Sequence, residues 1–208
     1  MAEFTRDLAA AAAALRRGEL VVYPTETFYG LGALASLPEA LARLAAAKLR
    51  PEGKPFPLVA SDAGMAFALW EEVPEAARRL AGRFWPGPLT LVAAAASGLP
   101  AALVLGGAVG VRVPGLALAR ELSRLAGGPL VSTSANPAGG ASPATAADLA
   151  PALLARIDLV LDGGPTPGRL PSTVVEVRPS GARLLREGAV PWSEVEALLR
   201  SPLPSRGG

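Results

Sequence analysis

Both lysines of this chain fall in one short stretch, KLRPEGKP, residues 48–55, where Lys48 and Lys54 flank Arg50. The chain has 20 basic residues, and every other one is arginine. A helix end would account for positive charge here, because cations favour the negative end of the helix dipole and Pro51 and Gly53 stop a helix. It would not account for lysine, since arginine serves a helix end equally well. Lysine is a compact point charge that fits between phosphate oxygens, whereas arginine presents a planar fork. A Lys-Arg-Lys cluster on a proline-stiffened loop therefore reads as a polyphosphate clamp. No G-x-x-x-x-G-K-[ST] occurs, so the clamp is not a P-loop.

Three further constellations carry polar chemistry. PTETFYGLGALA (24–35) contains G-x-G-x-x-A at Gly30, Gly32 and Ala35. That pattern suits a dinucleotide fingerprint poorly, because Gly30 comes six positions after Pro24 and the next helix starts only near 37. A plain glycine-rich turn is one reading. The other is a substrate loop in which Thr25, Glu26 and Thr27 present polar groups while the glycines let a ligand approach the backbone. VSTSANPAGGASP (131–143) places Ser132, Ser134 and Asn136 at alternate positions, which share one side if a strand continues through them. The stretch makes either a neutral pocket for a polar ligand or a capped turn. In VGVRVPG (109–115), Arg112 alternates with valines and faces either solvent or a cleft. Arg186 stands at a strand end just before Glu187–Gly188.

The composition narrows the chemistry. The 208 residues contain no cysteine and no histidine. That removes disulfides, thiol nucleophiles, Cys/His zinc sites and every Ser-His or Cys-His triad. The work falls to Lys, Arg, carboxylates, hydroxyls, backbone dipoles or an oxygen-held metal. A net charge of +2 is too small to argue for nucleic acid on its own.

These residues need a scaffold, and the apolar pattern supplies one. Helix signals cover 5–17 with Thr5 as cap, 36–48 opened by the Ser36–Glu39 capping box, 62–70, 74–84, 116–127, 145–155 and 191–200. Strand signals cover 20–24, 56–60, 89–96, 109–114, 129–133, 157–161, 173–178 and 182–186. The alternation predicts an α/β fold with an open, twisted, mixed parallel and antiparallel sheet. Residues 1–200 read as one catalytic domain and 201–208 as a flexible tail. The run LAAAAAAL (8–15) reads as an amphipathic helix, not a leader. Nothing approaches the roughly 20 apolar residues of a membrane span, so a cytoplasmic location is expected.

PTET-YGLG, K-R-P-K-P, FWPGPLT, VRVP, STSAN, STVV and LREG occur in the order found in the YrdC-like family of threonylcarbamoyl-adenylate synthases. The resemblance spans about residues 10–190 and indicates the short, single-domain form. It implies a basic concave cleft and a nucleotidyltransferase that makes threonylcarbamoyl-AMP and pyrophosphate from L-threonine, bicarbonate and ATP. The product would feed N6-threonylcarbamoyladenosine formation at position 37 of tRNAs reading ANN codons, through a downstream tRNA threonylcarbamoyl transferase. Carried over by position, Thr27, Arg112, Ser132 and Ser172 surround threonine. Arg50, Lys54, Ser134, Ser142 and Arg186 surround ATP, with Asn136 lining the same cleft. Lys48, Arg50 and Lys54 are the expected catalytic cations, and Mg²⁺ is expected to be held mainly by the ATP phosphates.

Such chemistry suits a chain without His or Cys. Threonine's amine takes up CO₂ or bicarbonate, and the new carboxylate attacks the α-phosphate. The protein then has to align the attack and neutralise the departing pyrophosphate. Pro171 stands where the family pattern has an acidic or polar residue before the Ser-Thr pair. The competing expectation is a non-catalytic module that holds double-stranded RNA or tRNA in the same basic cleft.

Overall fold

The computed structural model describes residues 2–48, 56–136, 140–167 and 170–201. The chain opens with a short strand, β1 (Glu3–Thr5), and then α1 (Leu8–Arg16). The cap of α1 is Asp7, whose carboxylate accepts from the amides of Ala9 and Ala10. The expected cap, Thr5, belongs to β1 instead, and its hydroxyl accepts from the Asp7 amide. A carboxylate at the positive end of the helix offers charge as well as an acceptor, which favours Asp at this position.

After β2 (Val21–Pro24) the chain turns at once into β3 (Tyr29–Gly32), antiparallel to it. The glycine-rich segment is thus half strand, and only Thr25–Phe28 forms the loop. Next come α2 (Pro38–Lys48), β4 (Leu58–Val59), α3 (Ala63–Phe67), α4 (Glu75–Phe84), β5 (Leu89–Ala94) and β6 (Ala108–Arg112). The second half holds α5 (Ala117–Ala126), β7 (Leu130–Val131), β8 (Thr133–Ser134), α6 (Pro151–Leu154) and β9 (Leu159–Leu161). The hairpin β10 (Thr173–Arg178) and β11 (Gly181–Arg186) precedes α7 (Trp192–Arg200). The helix expected over 145–155 is a 3-10 turn at Ala146–Asp148 followed by the four-residue α6, because Pro151 interrupts the amide ladder. No helix among the described residues is long and apolar enough to cross a membrane.

The strands form two mixed sheets where the sequence suggested one. The five-stranded sheet has the order β1-β9-β2-β3-β8, and the six-stranded sheet the order β11-β10-β5-β6-β4-β7. The division falls inside a single run of sequence. Leu130–Val131 pairs with β4 in the larger sheet, whereas Thr133–Ser134 pairs with β3 in the smaller one. Ser132, between them, donates its amide to Pro57 O. The hairpin expected from the C-terminal spacing is present, with β10 and β11 antiparallel.

Two cores flank the smaller sheet. On one side α1 and α5 close over Val21, Tyr23, Leu159 and Leu161. On the other, Val22, Leu31 and Val160 join Leu41 and Leu44 of α2 in a core that continues to the larger sheet. Strands β2, β3 and β9 are buried throughout, which is why β2 and β9 read as unbroken apolar runs. In the larger sheet the pattern alternates. Leu89, Leu91, Val109, Val111 and Val175 turn into the core, and their neighbours face the opposite way.

Candidate active site

Those neighbours line a cleft of about 970 Å³, at the upper end of the range usual for small-molecule sites. Its floor is one face of the larger sheet: Thr90 and Val92 on β5, Gly110 and Arg112 on β6, Val174 and Glu176 on β10. Its wall is the β2–β3 loop with Thr25, Thr27 and Phe28. Its far rim is Ser132–Ser134 and Ser142. The cleft therefore opens along the seam where the chain passes from one sheet to the other.

The Thr25–Phe28 loop is tightly self-bonded. Thr25 donates its amide and its hydroxyl to Phe28 O, and Thr25 Oγ1 accepts from Thr27 N. Arg112 reaches into this loop from the end of β6. Its Nη1 pairs with Glu26 Oε1, and Nη2 donates to Thr25 Oγ1 at 3.2 Å and Thr27 Oγ1 at 3.4 Å. Arg112 is 7% exposed, so of the two orientations open from the sequence it takes the cleft.

Ser172 ends the segment before β10. Its hydroxyl lies 2.9 Å from Thr90 Oγ1, and Arg186 Nη2 donates to Ser172 O at 2.8 Å. Arg186 reaches the cleft through a β-bulge: Val174 is opposite Arg186 but Val175 is opposite Leu184. The extra residue lets Leu185 and Arg186, adjacent in sequence, both line the cleft. Partial burial, and then the like charge of Arg112, lower the pKa of Arg186 below the usual guanidinium value.

The STSAN segment is held differently from the sequence expectation. Ser134 and Asn136 do not continue one strand face. Ser134 Oγ donates to Asn136 Oδ1, and Asn136 Nδ2 donates to Gly140 O. Lys48, at the end of α2, sends its ammonium to Ser134 O at 2.7 Å and also to Asn136 O. Ser142 enters the cleft rim because Tyr29 N donates to Pro143 O, while Asp148 accepts from the amides of Ala144 and Thr145. Arg50 and Lys54 lie outside the described residues, as do residues 202–208.

The structure thus brings Thr27, Arg112, Ser132, Ser134, Ser142, Ser172 and Arg186 to one cavity, whereas Lys48 and Asn136, expected in its lining, stand behind Ser134 and are not among the described lining residues. It adds Thr90, whose signal was a lone hydroxyl in the apolar strand LTLV. It also adds the outer charges Glu176, Arg178 and Arg183, with Glu176 pairing to both arginines.

Residues 13–188 match the family model Sua5/yciO/yrdC, described as "Telomere recombination". The chain belongs to the Sua5/YciO/YrdC family. Among curated relatives, the threonylcarbamoyl-AMP synthase of Pyrococcus abyssi is 39% identical over 191 residues, covering 91% of this chain and 56% of its own. That of Bacillus subtilis is 38% identical over 194 residues, covering 92% and 56%. The chain spans about half the length of these two relatives. The crystal structure of P. abyssi Sua5 complexed with L-threonine superposes with a TM-score of 0.89 at 36% identity, covering 96% of this chain and 61% of that one. The mixed α/β architecture expected from the sequence is therefore that of a Sua5/YciO/YrdC domain, with its strands divided between two sheets.

Proposed function

We propose that this cleft forms L-threonylcarbamoyl-adenylate and pyrophosphate from L-threonine, bicarbonate and ATP. The observation that carries the reading is that a buried arginine, Arg112, and the hydroxyls of Thr27, Ser132 and Ser172 line the same nucleotide-sized cleft. The likeness to the threonine complex of P. abyssi Sua5 supports it.

In this reading Arg112 takes the threonine carboxylate, and Thr27, Ser132 and Ser172 take its remaining polar atoms. The Nε and Nη1 hydrogens of Arg112 that Glu26, Thr25 and Thr27 do not take up can donate to a carboxylate. Ser134, Asn136, Ser142 and Arg186 form the nucleotide side. Arg50 and Lys54 join them as phosphate ligands, and Lys48 acts by fixing the Ser134–Asn136 backbone beside the phosphates. Among the described residues no three Asp or Glu side chains gather as a cation cage, so Mg²⁺ fits as an ion carried by ATP. When bound it would offset charge on the triphosphate. Bicarbonate carboxylates the threonine amine with loss of water, a carboxylate oxygen of the product attacks the α-phosphate, and pyrophosphate leaves; the cleft aligns the attack. The product would pass to a tRNA threonylcarbamoyl transferase acting at position 37. We take residues 1–200 to be one catalytic unit working in the cytoplasm.

The test is pyrophosphate release from ATP with and without L-threonine and bicarbonate. Release that needs both, with a threonine KM raised at least about tenfold in Arg112→Ala, is the expected result. An unchanged threonine KM would remove Arg112 from this role. Absence of release, together with salt-dependent binding of double-stranded RNA or tRNA, would replace the synthase by the RNA-binding alternative.

A further inference from the structure

Glu26 holds the single buried side-chain polar atom among the described residues that lacks a hydrogen-bond partner. Its Oε1 meets Arg112, and its Oε2 is buried and unpaired. The side chains of the pair are 8% and 14% exposed, arginine first. A carboxylate taken out of water and left with one bare oxygen depends on its counter-ion for compensation. The arginine depends on it in turn, because Arg186 presses a like charge toward the same place.

The backbone is built around this pair. Directly after β6 the chain folds back so that a Cβ at Gly115 would lie 3.2 Å from Glu26 Cγ and 3.4 Å from its Cβ. That turn is itself held, because Arg120 donates to Pro114 O at 2.7 Å and Gly115 O at 2.8 Å. Gly115 thus backs the stem of Glu26, Glu26 fixes Nη1 of Arg112, and Thr25 and Thr27 fix Nη2. Arg112, Thr25 and Thr27 line the cleft, but Glu26 is not among the described lining residues.

We propose that Glu26 is a positioning residue for substrate-carboxylate binding: its buried ion pair holds the Arg112 guanidinium in the cleft wall at one orientation, with Gly115 as the surface that keeps Glu26 in place. This rests on the reading that the cleft binds L-threonine. Glu26 touches no reacting atom in this scheme and works through Arg112.

The experiment is calorimetric binding of L-threonine, L-threoninol and ATP to the full chain and to its Glu26→Gln and Gly115→Ala variants. Threoninol lacks the carboxylate and so does not use Arg112. Glu26→Gln is expected to weaken threonine about 10- to 100-fold, with threoninol and ATP within about twofold of wild type. Gly115→Ala keeps both charges but pushes on the stem, and should shift threonine the same way by a smaller factor. It decides the matter if Glu26→Gln fails to fold. Threonine affinity unchanged in the folded variants, or threonine and threoninol weakened equally, would overturn the inference. A wild-type protein that binds no threonine would instead overturn the reading on which it rests.

Discussion

The Lys48 ammonium donates to the carbonyl oxygens of Ser134 at 2.7 Å and of Asn136, joining the last residue of α2 to the end of β8 and the loop that follows it. One lysine therefore ties together two motifs that lie 86 residues apart. Charged hydrogen bonds of this kind contribute about 1.5–3 kcal/mol each. Lysine suits the place because its compact head can donate to several carbonyls at once, where a planar guanidinium would need more room.

Replacing Lys48 by methionine keeps the stem and removes the donors. The apparent affinity for ATP should fall about tenfold or more, with threonine binding little changed, in pyrophosphate-release kinetics at varied ATP. Lys48→Arg should not restore it. An ATP KM equal to wild type in Lys48→Met would show that the loop holds itself.

Gly30 and Gly32 should fail in different ways. A Cβ at Gly32 would lie 2.4 Å from Tyr23 Cε1 and 3.0 Å from Val131 O, both packed in the interior. Gly32→Ala should therefore cost about 1–3 kcal/mol or more of stability, seen as a lowered midpoint in urea. At Gly30 the nearest atom is Ser132 Oγ at 2.9 Å, which can rotate away, but into the cleft. Gly30→Ala should keep its denaturation midpoint and lose activity.

The two tyrosines should titrate late. Burial pushes the Tyr29 hydroxyl up to about 12, helped by the nearby charge of Asp162, and burial raises Tyr23 as well. Tyrosine in an unfolded chain titrates near pH 10. A raised folded value means the native state holds the proton longer, so this stabilisation is complete below pH 10 and is lost as pH rises toward 12. Tyrosinate absorbance at alkaline pH should thus appear only together with the loss of near-ultraviolet circular dichroism. A rise near pH 10 in the folded protein would contradict the burial of these rings.

Arg79 should matter for stability and not for chemistry. It lies on α4 and donates to Leu198 O and Leu199 O, and to Ser201 O at 2.6 Å, across the C-terminal end of α7. Cations at that end meet unpaired carbonyls and the negative pole of the helix. Arg79→Ala should remove about 1–3 kcal/mol and lower Tm by roughly 3–10 °C. Its activity at room temperature should match wild type.

Much of the scaffold is readable without coordinates. The buried runs LVVYP and PLVST, the alternation in VGVRV, and the C-terminal hairpin spacing all lie within or overlap strands of the structure, because burial on one or both faces dictates those patterns. The Thr5 cap is misplaced because Asp7 competes for the same helix end with a full charge. The strand Tyr29–Gly32 hides in a sequence that reads as a loop, since its glycines answer to Tyr23 on the neighbouring strand and to the distant Ser132. Thr90 escapes notice because its partner, Ser172, comes from the segment before another strand, and Glu26, read from the sequence as a ligand-facing group of the loop, pairs instead with Arg112, 86 residues on.

The sequence by itself determined the chemical vocabulary. Without His or Cys, and with lysine confined to one stretch, it restricts the site to arginine, lysine, hydroxyl and carboxylate groups, and its motif order indicates the family. Only the tertiary structure decided which of these groups share a cavity. The break at Ser132 sends one run of chain into two sheets, and the bulge before Arg186 puts two adjacent residues on one face. The first is an outcome of strand pairing between segments far apart in sequence, and the second is a one-residue register shift inside a local hairpin; the alternation of residues along a strand specifies neither.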